Sequence, residues 1–147
     1  MTHLKLGEIL IRQGLITEKQ LQEAIVAQKK EKGRIGEVLV KLGLITEEHI
    51  AEALGIQMGI PYYSSKNLDL LKPQPDQGLE KAVPAEFAKK NCVLPLSRHL
   101  NSLTCAVYDP LDLLLLDNLK RIAGCEINPV ITTPTAIQAA ISEFYFK

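Results

Sequence analysis

Apolar residues recur at helical spacing, and the recurrence happens twice within the first 57 positions. Leu6, Ile9, Leu10 and Gln13 stand at i, i+3, i+4 and i+7, one face of a helix. Gly14 then offers a left-handed helix stop without a Cβ penalty. "Leu15-Ile16-Thr17-Glu18" restarts the chain. Thr17 is a good N-cap, Gln20 at N3 completes a capping box, and Ile16 with Leu21 forms a hydrophobic staple. Leu21, Ile25 and Gln28 share a face of the next helix. The second segment repeats these devices with Gly43, Thr46 and an Ile45/Ile50 staple. There His49 replaces Gln20, and the capping box is expected to be lost. Glu47 and Glu48 still suit the positive end of the helix dipole.

The two segments, Lys5–Gln28 and Arg34–Gln57, align without gaps and share 11 of 24 positions. Average amino-acid usage would give about one or two such matches. The segment is a duplication, predicting two helix–turn–helix copies packed as a four-helix unit with pseudo-two-fold symmetry. Three matched features stand out from simple core patterning. Gly7 and Gly36 fall inside the first helix of each copy, where glycine costs about 1 kcal/mol against alanine. They predict a close approach to the backbone. Gln28 and Gln57 are polar ends to apolar stripes, and Lys5 and Arg34 open each copy with a cation. Together they suggest two equivalent sites reading two equivalent groups.

After Gln57 the patterning changes. Residues Met58–Gly78 lack periodicity and read as a linker with a short extended piece at Ile60–Tyr63. Pro84 can open a helix at Ala85–Asn91, and Cys92–Asp109 reads as a hairpin around a polar turn. Asp109-Pro110 reads as N-cap and N1 of an apolar helix stopping at Gly124. Glu126–Thr132 has strand character, and Thr133-Pro134 opens a last helix with Ile137, Ala140, Ile141 and Phe144 inward. The fold class is α+β: a tandem-repeat helical unit over 1–58, a linker over 59–80, and a small α-β-β-α-β-α domain over 81–147.

Composition narrows the chemistry. With 17 basic and 17 acidic residues, no overall field draws the chain to nucleic acid or anionic lipid. A helix–turn–helix reading of "GLITEKQLQEAI" as a DNA binder fails on the same ground, since Lys19 is the only base in its second helix against Glu18 and Glu23. Cys92, Cys105 and Cys125 have no metal spacing and read as buried free thiols. The longest apolar run, Leu113–Leu116, is too short to span a bilayer and reads as core. No GxxxxGK[ST] is present to cradle a nucleoside triphosphate. His3, His49 and His99 have no nucleophile pattern beside them, and Lys29, Lys30 and Lys32 with Glu31 form a solvated connection. With no signal peptide at the N-terminus, the expected location is cytoplasmic.

The paired 24-residue segments with their five-residue spacer, Lys29–Gly33, resemble the MshEN domain at the N-terminus of type II secretion and type IV pilus assembly ATPases (GspE/PilB-like). The approximate family pattern is RLGxxLxxxGLIxxxxLxxxLxxQ. The stretch "PAEFAKKNCVLPL…LTCAVYDPLDLLLLDNL" is similar to the globular domain found next to it in those proteins. The resemblance implies a regulatory binding module rather than an enzyme, with no cofactor in this chain and with cyclic di-GMP as ligand. It implies contacts from Lys5, Leu6, Gly7, Leu21, Ile25 and Gln28 in the first motif. In the second it implies Arg34, Ile35, Gly36, Ile50, Leu54 and Gln57. It implies as partners a downstream ATPase domain and an inner-membrane platform protein, with peripheral location through that protein and no membrane insertion. The alternative is a ligand-free docking module coupling the ATPase to the platform. The family arginine of the first motif is Lys5 here; lysine lacks the planar fork, so the first half-site is expected to be the weaker.

Overall fold

In a computed structural model, residues 6–31, 33–64, 66 and 68–146 are described. The chain forms two compact units, 1–59 and 60–147. His3, Lys5 and Lys32 lie outside the described residues.

The first unit contains α1 (Leu6–Arg12), α2 (Glu18–Glu31), α3 (Ile35–Lys41) and α4 (Glu47–Met58). The turn inside each copy is set by its glycine. Gly14 and Gly43 both take φ +75°. Leu15 N–H then donates to Leu10 O, and Gly14 N–H to Ile11 O. The second copy repeats both bonds, Leu44 to Leu39 and Gly43 to Val40. This is the paired closure of a Schellman motif, which satisfies the last carbonyls of a helix. Leu10 and Leu39 are fully buried, with Ile9, Val38, Ile16, Ile45, Ala24 and Ala53 around them. α1 packs against α4 and α2 against α3, with α1 also meeting α3. Exchanging the copies turns the first contact into the second, so the packing carries the pseudo-two-fold symmetry of the sequence.

One expectation is corrected here. The capping box of the second copy is present, with a different side chain. Thr46 N–H donates to His49 Nδ1 at 3.1 Å, and His49 N–H donates to Thr46 Oγ1 at 3.3 Å. In the first copy Thr17 and Gln20 exchange the same bonds at 2.9 and 3.1 Å. A neutral imidazole has an acceptor nitrogen at nearly the reach of a glutamine oxygen, so it serves the N-cap donor equally.

The second unit is a three-stranded sheet with helices. β1 (Leu94–His99) pairs antiparallel with β2 (Ser102–Val107), which pairs parallel with β3 (Glu126–Ile131). The helices are α5 (Leu79–Ala82), α6 (Ala85–Asn91), α7 (Leu113–Ala123) and α8 (Pro134–Tyr145), with a 3-10 turn at Leu68–Leu71. Thr133 caps α8 through its Oγ1, which accepts from Ala136 N–H at 3.1 Å. Leu94, Leu103, Val107, Leu119 and Ile137 are among the side chains sealed in the core.

Two expectations need revision in this unit. The stretch expected to be a linker is bonded into the sheet, and the extended piece expected at Ile60–Tyr63 lies along its edge. Tyr63 N–H donates to Ile131 O at 2.7 Å, and Ile131 N–H to Pro61 O at 2.8 Å, covering the outer edge of β3. Gln74 N–H donates to Leu96 O at 2.8 Å, and Gln77 Oε1 accepts from Arg98 N–H at 2.7 Å on the outer edge of β1. Each outer sheet edge is thus partly covered, at Ile131 on β3 and at Leu96 and Arg98 on β1. Leu71 and Leu79 from the same stretch are buried. Secondly, α7 starts at Leu113 rather than Pro110. Asp112 is its N-cap, accepting from Leu115 N–H at 3.1 Å. Asp109 instead bonds Leu111 N–H at 3.1 Å, a local Asx turn that ends the strand connection. The later start leaves Leu113 and Leu114 69% and 70% exposed, while Leu115 points inward. The apolar run is therefore only partly core.

Candidate functional site

The first unit carries every residue implicated as a ligand contact. The matched glycines come first. A methyl group at Gly7 would fall 2.8 Å from Leu21 Cδ1 and 2.9 Å from Leu21 Cδ2. At Gly36 it would fall 3.1 Å from Ile50 Cδ1 and 3.4 Å from Leu6 Cδ2. The close approach expected at these positions is made by neighbouring side chains, and helix packing alone accounts for both glycines. The same contacts bring implicated residues together. Leu21 rests on Gly7, and Ile50 and Leu6 rest on Gly36, so the second group draws on both copies.

Along α2, Leu21, Ile25 and Gln28 are half-buried, while Ala24 beside them is fully buried. The stripe is therefore a shoulder of the helix rather than its core-facing line. Along α4, Ile50 and Gln57 are likewise half-buried, and Leu54 is 6% exposed. Ile35 is half-buried in the first turn of α3, with exposed Arg34 as the N-cap residue. Arg34 takes an extended backbone, φ −83° and ψ 149°, and its side chain makes no capping bond.

The two glutamines differ. Gln28 Nε2 donates to the carbonyl of Gly33 at 2.8 Å. Gln57 Oε1 is buried and has no hydrogen-bond partner among the described residues. A buried acceptor without a donor costs about 1–3 kcal/mol. No motif in the sequence marks this difference, because both glutamines occupy the same repeat position.

The second unit offers other surfaces. A groove of about 700 Å³ is lined by Leu71, Pro73, Ala139, Ala140 and Phe144, with Asp69, Lys72 and Glu143 also on its wall. Lys72 and Asp69 are paired at 3.3 Å and well exposed. Cys105 is fully buried, and desolvation, helped by nearby Cys125, pushes its thiol up to about 12. That thiol is a core residue with no nucleophilic role at neutral pH. Burial likewise raises the Tyr145 phenol, whose hydroxyl donates to Val83 O at 2.6 Å. Among the described residues no cluster of three His, Cys, Asp or Glu side chains is placed to hold a metal. No described helix is long and apolar enough to cross a membrane.

Comparison with known proteins places these features. The chain is 38% identical over 141 residues to the type IV pilus assembly ATPase PilB of Myxococcus xanthus, covering 96% of this chain and 24% of that protein. It is 33% identical over 143 residues to PilB of Thermus thermophilus, covering 96% of this chain and 16% of that protein. The chain thus spans a quarter or less of these relatives. A structure of MshE with cdg superposes with a TM-score of 0.78 at 24% identity, over 97% of this chain and 99% of that one. The N-terminal domain of XpsE superposes with a TM-score of 0.74 at 19% identity, over 95% and 93%. These two likenesses establish the fold. The MshEN domain profile itself matches residues 58–146, the second unit, whereas the duplicated pattern attaches the name to the repeats. That match covers more than half of the 147 residues, and the chain is a member of the MshEN domain family.

Proposed function

We propose that this chain is the cyclic di-GMP-sensing regulatory module of a type II secretion or type IV pilus assembly ATPase. The observation that carries the reading is the exchange-symmetric packing of α1 on α4 and α2 on α3. The sequence carried on it repeats a cation position, a glycine, an apolar pair and a glutamine in each copy, in keeping with a ligand whose two guanines and two phosphates are themselves related by a two-fold axis. Arg34 can reach guanine O6 and N7 together, a contact worth about 1–3 kcal/mol of discrimination. The Gln57 amide, half-buried near the end of α4, carries both a donor and an acceptor for a guanine edge. Leu6, Leu21, Ile25, Ile35, Ile50 and Leu54 supply apolar contact, and Lys5 is the weaker cation of the first half. The structural relative MshE was solved with cdg, the abbreviation of this dinucleotide. The chain itself carries no P-loop, so ATP hydrolysis belongs to a motor domain of the kind the PilB relatives carry.

Ligand bridging both motifs would hold the four helices in one arrangement and bias how the unit meets its neighbours. The coupling is no larger than the ligand's preference between arrangements. A platform protein at the inner membrane is the partner this reading requires, with location peripheral to the membrane through it. Titration calorimetry tests the reading: submillimolar binding of cyclic di-GMP, lost on Arg34→Ala or Gln57→Ala, is expected. Heat equal to buffer at millimolar ligand contradicts it. A second reading, docking without ligand, draws on exposed Leu111, Leu113 and Leu114 at the start of α7.

A further inference from the structure

The spacer between the copies is five residues long, and its last residue is bonded to the glutamine that precedes it. α2 ends at Glu31 and α3 begins at Ile35. Gln28 reaches over the end of its own helix and donates from Nε2 to the Gly33 carbonyl at 2.8 Å, partly buried. A carbonyl can only accept, so the orientation of the amide is fixed: its NH2 faces Gly33 and its oxygen faces away. The Gly33 carbonyl belongs to the same rigid peptide plane as the Arg34 nitrogen. Holding that oxygen therefore holds the plane from which Arg34 departs.

The matched glutamine makes no such bond. α4 is closed by Gly59 at φ +65°, whose N–H donates to Gly55 O, and Gln57 keeps a buried, unpartnered Oε1. One repeat position thus has two uses. In the second copy a backbone glycine ends the helix and the side chain is left with an unmet acceptor. In the first copy the side chain itself ties down the connection.

We propose that Gln28 is a positioning residue that couples the two half-sites: it latches the connection at Gly33 and so sets the starting geometry of Arg34, the cation of the other motif. The latch stands on the geometry alone, while its effect on ligand rests on the cyclic di-GMP reading above. The two halves are then unequal in a definite way. Loss of Gln28 damages the second motif's cation as well as its own motif, whereas loss of Gln57 removes an acceptor only.

Gln28→Met keeps the length and the apolar contact of the side chain but has no donor. In ligand-free protein followed by NMR, it is expected to shift the Gly33 carbonyl carbon. It should also speed exchange of the Val38 amide, which donates to Arg34 O at 3.1 Å in the first turn of α3. The expected acceleration is about five-fold, the size of one net hydrogen bond. Gln57→Met should leave both signals in place, as should the Ile50 amide in either variant. In calorimetry Gln28→Met should weaken cyclic di-GMP by about five-fold, and by less than about two-fold in an Arg34→Lys background.

Unchanged Val38 exchange and Gly33 shift would overturn the latch. Faster exchange with unchanged affinity would overturn its role in binding. An equal loss in both Arg34 backgrounds would show Gln28 acting on ligand by itself and overturn the coupling. Wild-type protein that takes up no cyclic di-GMP overturns the functional reading and the ligand arm together, and the exchange arm still decides the latch.

Discussion

The two copies of the repeat share a backbone and differ in how they achieve it. Both turn at a glycine with φ +75°, and both seal a leucine and an alanine at matched depth. Yet one caps its second helix with Gln20 and the other with His49, and one bonds its repeat glutamine to the Gly33 carbonyl beyond that helix while the other closes the helix on Gly59. The fold needs an acceptor at N3, and more than one side chain meets that need. A ligand site is less forgiving, because it needs a given atom in a given place. The difference teaches that matched sequence positions guarantee matched scaffold, while the state of a matched polar side chain depends on what its own copy has left unsatisfied.

The comparison can be broken most forcefully in the core. Leu10→Ala and Leu39→Ala should each cost about 2–5 kcal/mol in denaturant unfolding of the first unit, and by similar amounts. A large inequality would mean the packing is not exchange-symmetric. Next in size are the turns. Gly14→Ala and Gly43→Ala place a Cβ at positive φ and should each cost about 1–2 kcal/mol, again equally.

The caps sharpen the comparison further. Thr17→Ala and Thr46→Ala should each cost about 1 kcal/mol, measured as a shift in unfolding midpoint. His49→Gln should change stability by less than about 0.5 kcal/mol, since it exchanges one acceptor for another. A cost near that of Thr46→Ala would show that the imidazole does more than cap.

Gly7→Ala makes a different prediction. The alanine gains helix propensity but presses on the end of the Leu21 side chain. Ligand affinity should therefore fall more than stability does, as read by calorimetry beside unfolding. The two units also differ in chemistry, because all the cysteines lie in the second. Cys105 has its thiol raised from 9.0 to about 12 by burial and by Cys125. The stability this confers is present below pH 9 and is lost as pH rises from 9 through about 12. Native protein at pH 8 should react with a thiol reagent at half-buried Cys92 before buried Cys105 or Cys125. Early labelling of Cys105 would contradict its burial.

Much of this fold is legible in the sequence because its signals are local. Glycine stops, threonine caps and helical periodicity act within one turn of chain, and they locate α2, α4, α6 and α8. The cap at Asp112 escapes a sequence reading because Asp109-Pro110 is an equally good local signal three residues earlier. Only the strand connection decides between them. Met58–Gly78 reads as linker, apart from the extended piece at Ile60–Tyr63, because edge-covering bonds to Ile131 and Leu96 are long-range and leave no periodic trace. The candidate site is legible as a set of positions from the duplication, while the split between a latched Gln28 and an orphaned Gln57 is not. Gln28 finds an acceptor in the Gly33 carbonyl, whereas α4 closes on Gly59 and Gln57 Oε1 is left unpartnered.

The most direct test is calorimetric titration of cyclic di-GMP into wild-type protein beside Arg34→Ala and Gln57→Ala. One ligand per chain should bind at submillimolar concentration, with at least about ten-fold weaker binding in each variant. Binding that is absent from the wild type, or unaltered by both substitutions, would contradict a twinned ligand site in the first unit.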